Sequence, residues 1–165
     1  MRAISVDPGV SGTGYVLWES LCTTEVTVLS FGVLASKEKQ WAARAEEIGR
    51  TVADLAREAK VHRVWCELPA YWGTYKQHAW AAQGSLVKQA VLVGTMLAVP
   101  WIAKSVRVVS LVPVADWKGN LPKPVVEARV KKILGKQSRG FESHTWDAAG
   151  IGLYSFQRMG VDVGW

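Results

Sequence analysis

Cysteine is nearly absent: Cys22 and Cys66 stand far apart in the 165 residues, in no metal-ligand spacing. That excludes a disulfide framework and a thiolate zinc site, and it fits a reducing compartment. No apolar run is long enough to span a bilayer, since the uncharged stretch Val91 to Ala103 is short and is broken by Pro100. No apolar leader precedes the first strand-like segment, so the expected location is the cytoplasm. Internal repeats and low-complexity linkers are missing as well, which leaves a single expected domain, 1–165, long enough to bury a core. Basic residues outnumber acidic ones in one segment above all. From Trp101 to Gly140 there are nine Lys or Arg against Asp116 and Glu127, whereas the rest of the chain is close to neutral in a total of +6. A positive field confined to one segment has the form of a nucleic-acid footprint, or of a solvated basic helix.

The apolar fraction of 49% and charged fraction of 21% are those of an ordinary globular protein and exclude disorder. Nine tryptophans are many for this length. Core packing accounts for most of them, and a surface that binds something flat for any that are exposed.

The chain opens on Ile4-Ser5-Val6-Asp7, an apolar run that ends in a carboxylate. Pro8, Gly9, Gly12 and Gly14 then mark a turn before a second apolar run, so a hairpin is predicted with Asp7 near the end of its first strand. Aspartate is depleted inside strands. Asp7 is therefore either a turn former capping nearby amides or a carboxylate held on a rigid sheet for a metal or phosphate. A third strand is predicted over Val26 to Val33. An amphipathic helix follows over Lys37 to Lys60, with its stripe at Trp41, Ala45, Ile48, Val52, Leu55 and Ala59.

Val61 to Leu68 reads as a fourth strand, and it too ends in an acid, Glu67. With Trp65 and Cys66 beside it, an unpaired surface charge is the weaker reading, because a mostly buried strand makes such a charge costly. The aromatic loop after it, with Tyr71 and Trp72, would stack on bases or on itself. The segment 74–99 has helical propensity and almost no charge, with Leu86, Ala90, Val93 and Leu97 on one face and Val87, Val91 and Leu92 on others. A helix apolar nearly all round is covered on more than one side, here by the sheet and by a second copy of the chain.

A fifth strand is predicted over Val106 to Val114. A loop from Asp116 to Lys123 leads to a helix whose basic face holds Arg129, Lys132 and Lys136, with Pro124 in its first turn. The last helix runs from His144 to about Met159, with Ser143 as its N-cap and Asp147 in about its first turn. Asp147 there is either a dipole partner or a third acid for the site, with His144 on the same face. Three meandering strands followed by helix-separated ones describe a mixed α/β sheet, and parallel pairing of the first and fourth strands would make Asp7 and Glu67 neighbours.

Asp7-Pro8-Gly9 with Thr13-Gly14-Tyr15, the strand-end Glu67, the Pro113…Trp117-Lys118-Gly119…Lys123 segment and Ser143-His144-Thr145-Trp146-Asp147-Ala148-Ala149 together resemble the RuvC-type Holliday junction resolvases, most of all compact phage-type members. The resemblance spans the chain from its first residues to its last helix. It implies an RNase H-like fold with a mixed five-stranded sheet. It further implies a homodimeric endonuclease that cuts opposing strands of a four-way DNA junction in the cytoplasm of a bacterium, as a bacterial or phage protein. It places catalytic and metal-binding acids at Asp7, Glu67 and Asp147, with His144 where many members carry an acid.

Three carboxylates held close together repel and raise one another's pKa unless a cation joins them. Mg²⁺, with Mn²⁺ as substitute, suits oxygen ligands and phosphates. Two such ions about 4 Å apart activate a water and stabilise the leaving 3′ oxygen. The expectation is that Asp7 bridges both while Glu67 and Asp147 each hold one, and that His144 either ligates a metal or handles the water's proton. Lys118, Lys123, Arg129 and Lys132 are the expected phosphate contacts. Tyr71 or Trp72 is expected to engage the branch point. Gly9, Gly12 and Gly14 are expected to keep side chains away from an approaching DNA phosphate. The competing readings are a broader branched-DNA or flap nuclease, a junction-binding protein without chemistry, and, more remotely, an actin-like nucleotide-binding domain, whose phosphate hairpin also begins Asp-x-Gly.

Overall fold

The computed structural model describes residues 1–9, 11–69 and 84–165. Tyr71 and Trp72 lie outside them. Strands β1 (Arg2–Asp7), β2 (Thr13–Glu19) and β3 (Thr27–Leu34) form an antiparallel meander. Helix α1 (Trp41–Glu58) leads to β4 (Arg63–Leu68), which pairs parallel to β1. Helices α2 (Ser85–Leu97) and α3 (Val99–Ile102) lead to β5 (Val108–Pro113), parallel to β4. The chain closes with α4 (Val114–Trp117), α5 (Lys123–Leu134), a 3₁₀ turn (Gly135–Ser138) and α6 (Ser143–Arg158). The sheet order is β3-β2-β1-β4-β5. Among the described residues no helix is long and apolar enough to cross a membrane.

Alternation along the strands divides the core in two. Ala3, Val16, Trp18 and Trp65 pack against Ala148, Ile151 and Phe156 of α6, and Ile4, Val6, Leu17, Val64 and Cys66 pack against α1 and α2. With a side-chain period of two, the residues that follow in register, Asp7 on β1 and Glu67 on β4, fall on the α6 face. Val6 lies opposite Cys66 in the parallel ladder, so each acid comes one residue after a paired position. This places both carboxylates at the same end of adjacent strands.

Helix α6 lies close to the sheet because its inner face is small. A Cβ at Gly152 would stand 2.6 Å from the Trp18 indole, and one at Gly150 would meet the Trp117 ring. Trp18 in turn donates its Nε1–H to Ser5 Oγ at 2.8 Å, so the buried indole is satisfied. Trp18 and Trp65 both meet Phe156 edge-on.

Several local expectations change. Helix α1 begins at Trp41 rather than Lys37, and Trp41 is exposed, because the buried stripe runs through Ala45, Ile48, Val52, Ala53 and Ala56. On α2 the inward face is Leu92, Val93 and Met96. Ala90 and Leu97 point outward instead of sharing a face with Val93. The Asp116 loop starts inside a helical turn, α4, which buries Trp117. Ser143 does not cap α6. The cap position belongs to Glu142, without a side-chain bond, and Ser143 Oγ accepts from Lys123 Nζ at 2.7 Å. Asp147 accordingly stands in the second turn, beyond the span where a helix dipole alone would explain an acid.

Candidate active site

Asp7 and Glu67 leave the C-terminal ends of β1 and β4, and Asp147 and His144 come down onto them from α6. Asp7 is 8% exposed and Asp147 9%. Burying a carboxylate is costly unless it is partnered, and each of these has a donor of its own. His144 Nδ1 lies 2.8 Å from Asp7 Oδ2. Trp117 donates its Nε1–H to Glu67 Oε2 at 3.2 Å. Lys118 Nζ and Lys123 Nζ reach Asp147 at 3.3 and 3.0 Å, one to each oxygen.

These partners do not remove the strain of like charges. Burial pushes the Asp7 carboxyl above its usual range, and the Asp147 charge adds to that against the opposing His144 contact. Glu67 is pushed up to about 8, first by burial and then by the charges of Asp7 and Asp147. The His144 imidazole is raised by its bond to Asp7. All three groups hold protons more tightly than they would in water. Such a site gains from a cation.

The glycines of the first hairpin are closely packed within the protein itself. A Cβ at Gly14 would overlap the backbone carbonyl of His144, one at Gly9 would come 3.0 Å from the imidazole, and one at Gly12 would press on Val33. The bare backbone at Gly14 makes room for the first turn of α6, while a Cβ at Gly9 would first meet the Gly12 carbonyl at 2.3 Å. Thr13 Oγ1 donates to the Gly9 carbonyl at 3.3 Å, and Gln89 of α2 donates to the Pro8 carbonyl at 3.1 Å, so the turn is held from both sides.

The four expected phosphate contacts divide. Lys118 and Lys123 lie within the site as partners of Asp147. Arg129 and Lys132 are exposed on α5, with the Arg129 guanidinium 5.3 Å from the Trp165 ring centroid. Trp117 was visible in the sequence as part of a motif, but its contact with Glu67 spans fifty residues and no local pattern encodes it.

No protein-family model and no curated protein matches the chain. Solved structures do. The RuvC of Thermus thermophilus superposes with a TM-score of 0.73 at 22% identity, covering 98% of both chains. The same protein in complex with a Holliday junction substrate gives 0.75 at 21%, with the same coverage. The yeast mitochondrial Holliday junction resolvase Ydc2 gives 0.62 at 14%, over 98% of this chain and 81% of that one. The chain has the RuvC fold.

Within this RuvC fold, the donors available to a cation are three carboxylates and one imidazole. Among the described residues, no group of three or more His, Cys, Asp or Glu side chains is placed to hold a metal ion. By donor type alone, three carboxylates and an imidazole suit a hard divalent cation. The donor oxygens are partly buried, the carboxyls of Asp7 and Glu67 are raised by burial and mutual repulsion, and both oxygens of Asp147 are paired with lysines.

Proposed function

We propose that the chain is a structure-specific DNA endonuclease that resolves four-way junctions by paired hydrolytic cuts on opposing strands. The observation that carries this reading is the convergence of Asp7, Glu67 and Asp147 from β1, β4 and α6 onto one end of the sheet, with Lys118 and Lys123 beside them. The protein would work in a bacterial cytoplasm as a homodimer. The strip of exposed apolar side chains on α2 and α3, with Val87 60% and Trp101 78% exposed, supports that assembly.

Asp7, Glu67 and Asp147 would hold a pair of Mg²⁺ ions, with Mn²⁺ as substitute. When bound there, the ions supply an activated water and stabilisation of the leaving 3′ oxygen. The chain's own groups do the rest. Lys118 and Lys123 pair with Asp147 in the free protein, and they would contact a DNA phosphate once that carboxylate has another partner. With its Nδ1 2.8 Å from Asp7 Oδ2, His144 would present Nε2 as the atom that takes a proton from the attacking water. Trp117 keeps Glu67 Oε2 oriented.

The test is incubation of the protein with a labelled four-way junction, a flap and a linear duplex of the same sequences, with Mg²⁺, Mn²⁺ or EDTA. Symmetric metal-dependent cuts on the junction, abolished in Asp7→Asn, are expected. Equal cutting of flaps would move the reading to a general branched-DNA nuclease. Tight junction binding without cuts would make the chain a binding protein.

A further inference from the structure

A groove of about 530 Å³ lies between the end of α5 and the first turns of α6, within the usual range for a binding pocket. Lys131, Lys136 and Arg139 line it together with Phe141 and Trp146. None of the three cations has an ion-pair partner among the described residues, and no carboxylate is among the lining side chains. Glu142, next along the chain, is exposed outside it. The floor is shaped by two glycines with left-handed backbone, Gly135 at φ 53° and Gly140 at φ 84°. Gly135 has open space where a Cβ would be, so a ligand can approach the main chain there. The aromatic wall is fixed in place, since Phe141 packs on Phe31 with centroids 4.6 Å apart and edge-on to Trp146 at 5.1 Å.

The groove shares a helix with the candidate active site. Trp146 lines it, and Asp147, the next residue, faces Lys118 and Lys123. Unpaired cations around bare backbone match a polyanion, and an aromatic wall beside them matches a sugar or base edge. We propose that this groove is a second DNA contact, a track that holds the phosphate backbone of one arm beyond the cleavage point. The inference rests on the endonuclease reading above and adds Lys131, Lys136 and Arg139 to its substrate surface. In this proposal a strand bound at Lys118 and Lys123 would pass on along α6 into the groove. This gives the arm a direction as well as an affinity.

The experiment measures binding of a four-way junction across a salt series, with Ca²⁺ in place of Mg²⁺ so that the DNA stays intact. A Lys131→Ala/Lys136→Ala/Arg139→Ala variant is compared with a control that removes the same charge at the opposite end of the strands, Lys60→Ala/Lys104→Ala/Arg107→Ala. All six positions are exposed, and equal melting temperatures would establish that both variants are folded. Each lost phosphate contact lowers the salt slope by about 0.9. The groove variant is expected to lose about 2 to 3 in slope and about 10-fold or more in affinity near physiological salt, with the control close to wild type. Equal slopes for the groove variant and wild type, or equal losses in both variants, overturn the track. A wild-type protein that does not bind junctions overturns the endonuclease reading itself, which is a distinguishable result.

Discussion

Trp117 and Glu67 are joined by a hydrogen bond of 3.2 Å from the indole Nε1 to the carboxylate, across the join between α4 and the end of β4. The indole is itself immobilised, packed under Gly150 of α6 and beside Trp165 at 6.4 Å between centroids. A wholly buried ring thus orients an acid whose charge is otherwise unfavourable where it sits. Trp117→Phe keeps most of the packing and removes only the donor. Metal-dependent cutting is expected to fall about 10-fold or more, as for other partners that orient ligands. Mg²⁺ affinity, measured by calorimetry, is expected to fall with it while the melting temperature changes little. Unchanged Mg²⁺ affinity would show that Glu67 orients itself.

The same acid makes the free protein sensitive to pH. Asp7, Glu67 and His144 all bind protons more tightly in the folded chain than in the unfolded one. The change of unfolding free energy with pH follows protons bound in the unfolded state minus those bound in the folded state, and is here negative. In EDTA the protein is therefore expected to lose stability as pH rises from the ordinary carboxylate range to about 8, where Glu67 titrates. Glu67→Gln should flatten that fall in melting temperature and raise stability at neutral pH, whereas Asp147→Asn should not, because it leaves Lys118 and Lys123 without their partner. Saturating Mg²⁺ should stabilise the wild type by mass action and not the Glu67→Gln variant to the same degree. A melting temperature in EDTA that rises with pH over this range is incompatible with the account.

The two strand-end acids were legible in the sequence, because a carboxylate closing an apolar run is exceptional and the period of two fixes its face once the strands are known. The sheet followed from the same runs, as three meandering strands and two reached through helices. Asp147 was legible as a residue, though its depth in α6 was not, because the serine expected to cap the helix instead accepts a bond from a lysine twenty residues earlier. What could not be read were the pairings made by distant loops: Trp117 on Glu67, and Lys118 and Lys123 on Asp147. The basic residues drew attention as a charged segment, and charge alone does not distinguish a lysine in a site from one above the DNA. The hairpin glycines were visible too, but whether they make room for a ligand or for a helix depends on packing that only the structure supplies.

Gly14 offers a direct check on that last point. An alanine there would overlap the His144 carbonyl, so α6 must shift away from β2 or the strand must bend. Overpacking of this kind costs about 1–3 kcal/mol, a clear drop in melting temperature. Cutting is expected to be lost under conditions where the variant is still folded, since His144 and Asp147 move together. Gly94, inside α2 with open space where its Cβ would go, provides the opposite case. Gly94→Ala should leave the protein equally or more stable, by up to about 1 kcal/mol. If both alanines behave alike, the close approach of α6 to the hairpin is not what Gly14 is for.

The outer face of α2 and α3 bears on assembly. Leu92, Val93 and Met96 are buried against the sheet and α1, while Val87, Val91, Leu97, Trp101 and Ile102 lie on the outside of the same continuous segment. An exposed tryptophan next to exposed leucine and isoleucine has the composition of an interface centre, where a few aromatic and aliphatic anchors carry most of the affinity. In the proposed homodimer each such strip meets its copy about a two-fold axis, which fixes two active sites relative to one junction. Leu97→Glu/Trp101→Glu should weaken dimerisation by at least about 100-fold, because it places charge where two apolar anchors stood. Sedimentation velocity would then show monomers at concentrations where the wild type is dimeric. On a supercoiled plasmid with an extruded cruciform, the dimer should give mainly linear product from paired cuts and the variant mainly nicked circles. A wild type that sediments as a monomer, yet still gives linear product in a single binding event, would separate paired cutting from this face altogether.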